Sequence, residues 1–220
     1  MFGQGLLQLV FLDAQRGRLG HRRRTRGGAI TEGPLLLVAG PIGVDLGDAG
    51  YLVVRVLKVL PREAAPGGDA QFAEDNPVLM FEGVAVDSDE PVPGVHLAGG
   101  CLFGPGRTVD ELPYDPHLYF HGEEQAYALR AWTRGWDLFH IPDLPLYHAY
   151  LDPQAPPPRP LHWSPALEAQ RSSQPSSSAA ALQAAAQRRL SALLWESADL
   201  GVNGLGRERS LADYADFSGI

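Results

Sequence analysis

Apolar residues form short blocks in the first half of the chain and recur at helical spacing in the second. Residues 6–12 and 35–38 are brief leucine-rich runs that predict strands, the first ending at Asp13. Residues 51–60, rich in valine and leucine and closed by Pro61, predict a buried strand, and 78–86 a strand or hairpin arm. Residues 61–78, with Pro66-Gly67-Gly68, read as loop, and 87–93 as an acidic turn. A further apolar run, 95–103, is interrupted by Gly99-Gly100, a pair that marks a bulge or the close approach of another group. Pro113-Tyr114-Asp115-Pro116 is turn chemistry.

The clearest helix follows. Gly122 serves as its cap, and Glu123 and Glu124 suit the positive end of the helix dipole. Ala126, Leu129, Trp132 and Thr133 make one packing face, Arg134 stands in the last turn and Gly135 stops it. Residues 136–141 predict a strand ended by Pro142. Beyond residue 152 the composition shifts: Pro156-Pro157-Pro158 is a stiff spacer and 172–178 a serine-rich tract. Residues 179–195 predict a helix with Leu182, Ala186, Leu190 and Leu193 or Leu194 on one side. Residues 201–206 read as a turn, and Ser210-Leu211-Ala212-Asp213-Tyr214 as a capped final turn.

The chain therefore divides into an N-terminal segment (1–55), an α/β body (56–151), a Pro/Ser-rich linker (152–178) and a C-terminal helical extension (179–220). Within 1–55 an arginine- and glycine-rich stretch separates the apolar runs, and pattern and turn chemistry agree poorly, so this region is expected to be poorly ordered.

With 220 residues and 45% hydrophobic content, one core is expected. The single cysteine, Cys101, excludes an internal disulfide framework and a thiolate zinc cage. It points to a reducing compartment, and its apolar setting predicts a buried structural thiol. Six arginines and four acids in the first fifty residues give +2, leaving −10 on the remainder of a chain whose total is −8. An acidic body argues against nucleic-acid binding, and the arginines at 16–26 read as a solvated loop. No membrane span is visible: 6–12 is too short, and 35–44 is broken by Gly40, Pro41 and Gly43.

Candidate chemistry centres on Glu123, Glu124 and His148. The doublet has two readings: surface acids favouring a helix start, or cleft carboxylates, of which one faces inward because adjacent helical residues diverge. An ion pair between Glu123 and Arg130 on one helix face is a third. His148, in Leu146-Tyr147-His148-Ala149-Tyr150, is either a hydrogen-bonded core histidine or a neutral imidazole ligand for a divalent metal. Asp87-Ser88-Asp89 carries oxygen ligands suited to magnesium or manganese, but it runs into Glu90, Pro91 and Pro93 and reads as an acidic loop. Asp13 has no second acid beside it. A metal-dependent hydrolase with a glutamate base is the weaker alternative, since His140 and His148 are eight apart across a proline turn.

Several motifs occur in one order: Ala98-Gly99-Gly100-Cys101-Leu102-Phe103-Gly104, Pro113-Tyr114-Asp115-Pro116, Phe120-His121-Gly122-Glu123-Glu124, Arg130-Ala131-Trp132-Thr133-Arg134-Gly135-Trp136-Asp137-Leu138, Tyr147-His148-Ala149-Tyr150, Asn203-Gly204-Leu205-Gly206, and Arg209-Ser210-Leu211-Ala212-Asp213-Tyr214. In this the chain resembles the cytoplasmic N-acetylglucosaminyltransferases that modify hydroxyproline on a ubiquitin-ligase adaptor, over roughly residues 57–220. The Gly-Glu, Arg-x-Trp and terminal His pattern is also similar to that of polypeptide N-acetylgalactosaminyltransferases, which share the GT-A fold.

The resemblance implies a partial GT-A-type α/β fold, a mixed sheet flanked by helices, in a cytoplasmic protein. It implies a UDP-sugar donor, a protein acceptor and a manganese or magnesium ion on the UDP diphosphate. It assigns Gly99 and Gly100 to the floor where donor and acceptor meet, with Asp115, Arg130 and Trp132 also on the substrate side. Glu123 and Glu124 would contact sugar or acceptor hydroxyls, and His148 would hold the metal. The expected activity is transfer of N-acetylglucosamine to a protein hydroxyl with retained anomeric configuration. The family's Asp-Ser-His strand has no clear counterpart, residues 9–15 being at best a degraded one, so the nucleotide-binding half is expected to be missing or degraded. The alternative is a truncated, non-catalytic relative acting as a binding module.

Overall fold

The structure, a computed structural model, describes residues 35–38, 56–61, 74–79, 81–86, 88, 90–97, 102–141, 161–171 and 177–219. For 35–38, 56–61 and 82–85 it describes the backbone alone. It is a mixed α/β arrangement. Strands β1 (Leu35–Val38), β4 (Val92–Pro93), β5 (Leu102–Phe103) and β6 (Asp137–His140) form one sheet in the order β4-β6-β1-β5. β1 runs parallel to β6, pairing Leu35 with Asp137 and Val38 with His140, while β5 and β4 are antiparallel edges. Strands β2 (Val56–Pro61) and β3 (Phe81–Val86) form a separate antiparallel pair, Val56 opposite Val86 and Pro61 opposite Phe81.

Two differences from the sequence reading stand out. β1 is a strand where the apolar run 35–38 predicts one, but it comes from the segment expected to be poorly ordered and lies inside the sheet between β6 and β5. Residues read as an acidic turn contribute β4, where Pro93 is tolerated because the strand is an edge and needs no second ladder of N–H donors.

The helices are α1 (Thr108–Glu111), α2 (Glu123–Thr133), α3 (Pro165–Arg171), α4 (Ala179–Leu194) and α5 (Leu211–Ser218), with a 3-10 turn at Gly201–Asn203. α3 lies inside the stretch read as linker. α2 is the pivot, and every residue from Gln125 to Thr133 is buried. Tyr127, Ala128 and Ala131 meet Leu97, Leu102, Leu112, Trp136 and Leu138 on the sheet side. Ala126 packs with Leu190 and Leu193 of α4, and Leu129 and Trp132 with Tyr214 of α5. The expected single packing face is thus three faces, because α4 and α5 cover what would otherwise be a solvated side.

The terminal motifs clamp α2 in place. Thr133 Oγ1 accepts from the Gly206 amide at 2.8 Å, and the Thr133 carbonyl accepts from the Glu208 amide at 2.8 Å. A Cβ at Gly206 would lie 2.4 Å from that carbonyl oxygen, so the approach requires glycine. Arg209 pairs with Asp137 at 2.8 Å, donates to the Trp136 and Gly135 carbonyls, and lies 4.5 Å over the Trp132 ring. Ser210 and Asp213 form the expected capping box, and the Tyr214 hydroxyl donates to the Val95 carbonyl.

Candidate functional site

The site begins with a backbone constraint. Gly122, the N-cap of α2, has φ 93, and a Cβ there would meet Leu190 Cδ2 at 2.9 Å. Only glycine both adopts that conformation and lets α4 pack against the turn. Phe120, two residues earlier, also has positive φ, 58. This bend launches Glu123 and Glu124 in the first helical turn.

The two carboxylates diverge, as adjacent helical residues must. Glu123 is half-buried, and its Oε2 has no hydrogen-bond partner among the described residues. Burial, only partly offset by a hydrogen bond from its own backbone and reinforced by the Glu124 charge, pushes its pKa up to about 7. Tyr114 completes this corner. Its pKa is raised above the ordinary value by burial first, then by the charges of Glu123 and Glu124, and its ring centroid lies 5.8 Å from that of Tyr127. Glu123 is therefore set against a second carboxylate and a phenol, not against Arg130.

Glu124 faces a histidine, though not the one expected. His96 Nε2 stands 3.7 Å from Glu124 Oε2, an electrostatic contact longer than a good hydrogen bond. His96 is 3% exposed and stacks in parallel on Phe81 with ring centroids 3.4 Å apart. Burial lowers its pKa against the opposing pull of Glu124, so the ring is neutral at pH 7. Its Nδ1 has no partner among the described residues.

Gly99, Gly100 and His148 lie outside the described residues, as do Asp13, Asp87, Asp89 and Cys101. Asp115 is 5% exposed, accepting from Arg189 of α4 at 2.7 Å and from the His117 amide at 3.0 Å. Arg130, 1% exposed, donates to the Val202 carbonyl at 3.1 Å, and burial lowers its pKa to about 10. Trp132 stacks on Phe217 at 4.6 Å. Asp115 ties the turn before α2 to α4, Arg130 and Trp132 tie α2 to the tail, and none of the three opens onto solvent. His140 is a core residue: a Cβ at Gly94 would lie 2.6 Å from its Nε2. Ser88 caps its own loop, accepting from the Glu90 amide at 3.1 Å.

His96 and Tyr114 are the site residues that sequence reasoning missed. The signal for His96 was an imidazole inside an apolar run, Val95-His96-Leu97, which demands a polar partner from elsewhere in the fold.

A carboxyl raised to about 7 beside a second carboxyl, on the first turn of a buried helix, is an arrangement chemically able to exchange a proton or to orient hydroxyl groups. The reactant class comes from comparison. A family model described as Glycosyltransferase (GlcNAc) matches residues 68–220, and the chain belongs to that family. No curated protein and no solved structure matches it. The chain is a glycosyltransferase-family protein, and no helix among the described residues is long and apolar enough to cross a membrane.

Proposed function

We propose that this protein transfers N-acetylglucosamine from UDP-GlcNAc to a protein hydroxyl, in the manner of the cytoplasmic GT-A-type transferases whose motifs it carries. One observation carries the reading within the family: Glu123 holds a partly buried carboxyl, titrating at about 7, with an oxygen free of partners among the described residues.

At neutral pH such a group is near half-protonation, so it can donate a hydrogen bond to one sugar or acceptor oxygen and accept one from another. Glu124, 3.7 Å from His96 Nε2, orients the second hydroxyl. Fixing two hydroxyls side by side supplies the positioning that a bimolecular transfer needs. Tyr114 sits close enough to both carboxyls to feel their charge.

A manganese or magnesium ion on the diphosphate belongs to the proposal, with His148 as its ligand by resemblance. Among the described residues no group of three or more His, Cys, Asp or Glu side chains could hold a metal. Gly99 and Gly100 would line the donor–acceptor floor.

The test is release of UDP from UDP-GlcNAc with and without manganese, in the natural chain and in Glu123→Gln and His148→Ala. The expected result is a manganese-dependent rate reduced on the order of 100-fold by Glu123→Gln and abolished by His148→Ala. A rate indifferent to chelator, or unchanged in Glu123→Gln, rejects the mechanism. Absence of UDP affinity by calorimetry with manganese present selects the non-catalytic binding module instead.

A further inference from the structure

Tyr114 stands beside the acid pair without a part in the chemistry, and its surroundings give it one. It is 38% exposed, with its ring centroid 5.8 Å from that of Tyr127. Tyr127 follows Glu123 by four residues and Glu124 by three, so α2 presents all three on neighbouring positions of one side. The charges of both glutamates act on the Tyr114 hydroxyl, yet among the described residues that hydroxyl has no hydrogen-bond partner.

The backbone on either side of Tyr114 is fixed. Leu112 is buried in the core against α2, and its amide donates to the Thr108 carbonyl at 2.9 Å. Pro113 locks its own φ, and Asp115 is held by Arg189 at 2.7 Å and by the His117 amide at 3.0 Å. An exposed ring between anchored neighbours has surrendered its backbone freedom before any ligand arrives.

Of the two acids, Glu124 is the accessible one. Its side chain is 38% exposed, whereas Glu123 Oε2 is buried. A phenol and a carboxylate that interact by charge but are not bonded to each other are matched by a group that bridges them. That group must accept from the phenol and donate to the carboxylate. A hydroxyl does both, whereas a carbonyl or phosphate oxygen cannot donate and an ammonium cannot accept.

We infer that Tyr114 and Glu124 hold one hydroxyl of the transferred sugar between them, the phenol donating and the carboxylate accepting. Tyr114 is then a substrate-contacting residue that selects a hydroxylated ring. The inference rests on the transfer reading and adds to it a residue and the functional group it recognises. The family description names N-acetylglucosamine, whose ring offers such hydroxyls. The phenol keeps its role as donor at neutral pH, because burial and then the two carboxylate charges raise its titration above the ordinary tyrosine range.

The test compares the natural chain with Tyr114→Phe, which deletes the hydroxyl and keeps the ring. Both are assayed with manganese on UDP-GlcNAc and on deoxy analogues that lack each free ring hydroxyl in turn. On UDP-GlcNAc, Tyr114→Phe should lower kcat/KM about tenfold, the worth of one hydrogen bond. On one analogue, the one without the bridging hydroxyl, the same substitution should cost less than about twofold, since the two losses share a partner. Its melting temperature should match that of the natural chain, which separates lost contact from lost fold. A substitution cost that is equal on UDP-GlcNAc and on every analogue, or no cost at all, overturns the inference and leaves a tyrosine solvated by water. A natural chain that neither binds nor turns over UDP-GlcNAc fails the transfer reading and takes the inference with it. Turnover that ignores the Tyr114 hydroxyl fails the inference alone.

Discussion

Replacing Glu123 by glutamine removes a titration while keeping the shape of the side chain, and the structure sets both the sign and the size of the effect. The native carboxyl titrates at about 7 instead of 4.5, so between those values the folded protein binds more protons than the unfolded chain. Stability therefore falls as pH rises through this window and is constant outside it. At ~1.4 kcal/mol per pH unit, the gap amounts to about 3 kcal/mol. His96 acts in the opposite sense: burial holds its pKa below the ordinary 6.5, so stability falls as pH drops beneath that value. Both proteins keep His96, and its contribution cancels in their difference. Urea unfolding of the natural protein and Glu123→Gln at pH 4.5 and pH 8 supplies the comparison. Relative to its parent, the glutamine variant should gain about 3 kcal/mol on going from the acid to the alkaline condition. A difference that stays constant within about 0.5 kcal/mol would mean that the carboxyl is solvated, and the reasoning that makes it a proton-transfer group would fail with it.

The remaining predictions concern the clamp on α2. Arg209→Ala removes the ion pair to buried Asp137 and should cost about 3 kcal/mol in urea unfolding, with Asp137→Asn partly restoring stability in the double variant. Gly206→Ala drives a Cβ into the Thr133 carbonyl and should cost about 2 kcal/mol, read as a lowered melting temperature; an unchanged melting temperature would mean that the tail does not dock.

What the sequence disclosed was local. Gly122, the acid doublet, the stop at Gly135 and the strand through Asp137–His140 each signal themselves within a few residues, and all appear where expected. The capping box at Ser210 and Asp213 did so too. What it concealed was pairing at a distance. Leu35–Val38 is a short apolar run among glycines, and nothing in it says that β6 lies on one side and β5 on the other. Asp115 meets Arg189 across 74 positions, and Ser191 donates to the Glu74 carbonyl across 117. His96 was hidden for the same reason: its partner Glu124 belongs to another element, and periodicity registers only that the run around it is apolar. α3 was missed because proline- and serine-rich flanks outweigh seven helical residues in any local reading.

These distant pairings explain why so many of the motifs read in the sequence lie away from the acid pair. The Arg130-Ala131-Trp132-Thr133-Arg134-Gly135-Trp136-Asp137-Leu138 stretch and the terminal motifs meet each other, and their contacts are with α2's far end. A helix gripped by Arg209, Gly206 and Tyr214 at its C-terminus, and by Leu190 at its cap, has little freedom to rotate or slide. Rotation by one residue, about 100° in a helix of 3.6 residues per turn, would carry Glu123 out of its partly buried corner and Glu124 away from His96. The carboxyl would then be hydrated and its pKa would return toward 4.5. The tail thus reaches the acid pair through one quantity, the azimuth of α2. A weakened clamp should show first as a shift in the titration of Glu123 and only later as loss of fold.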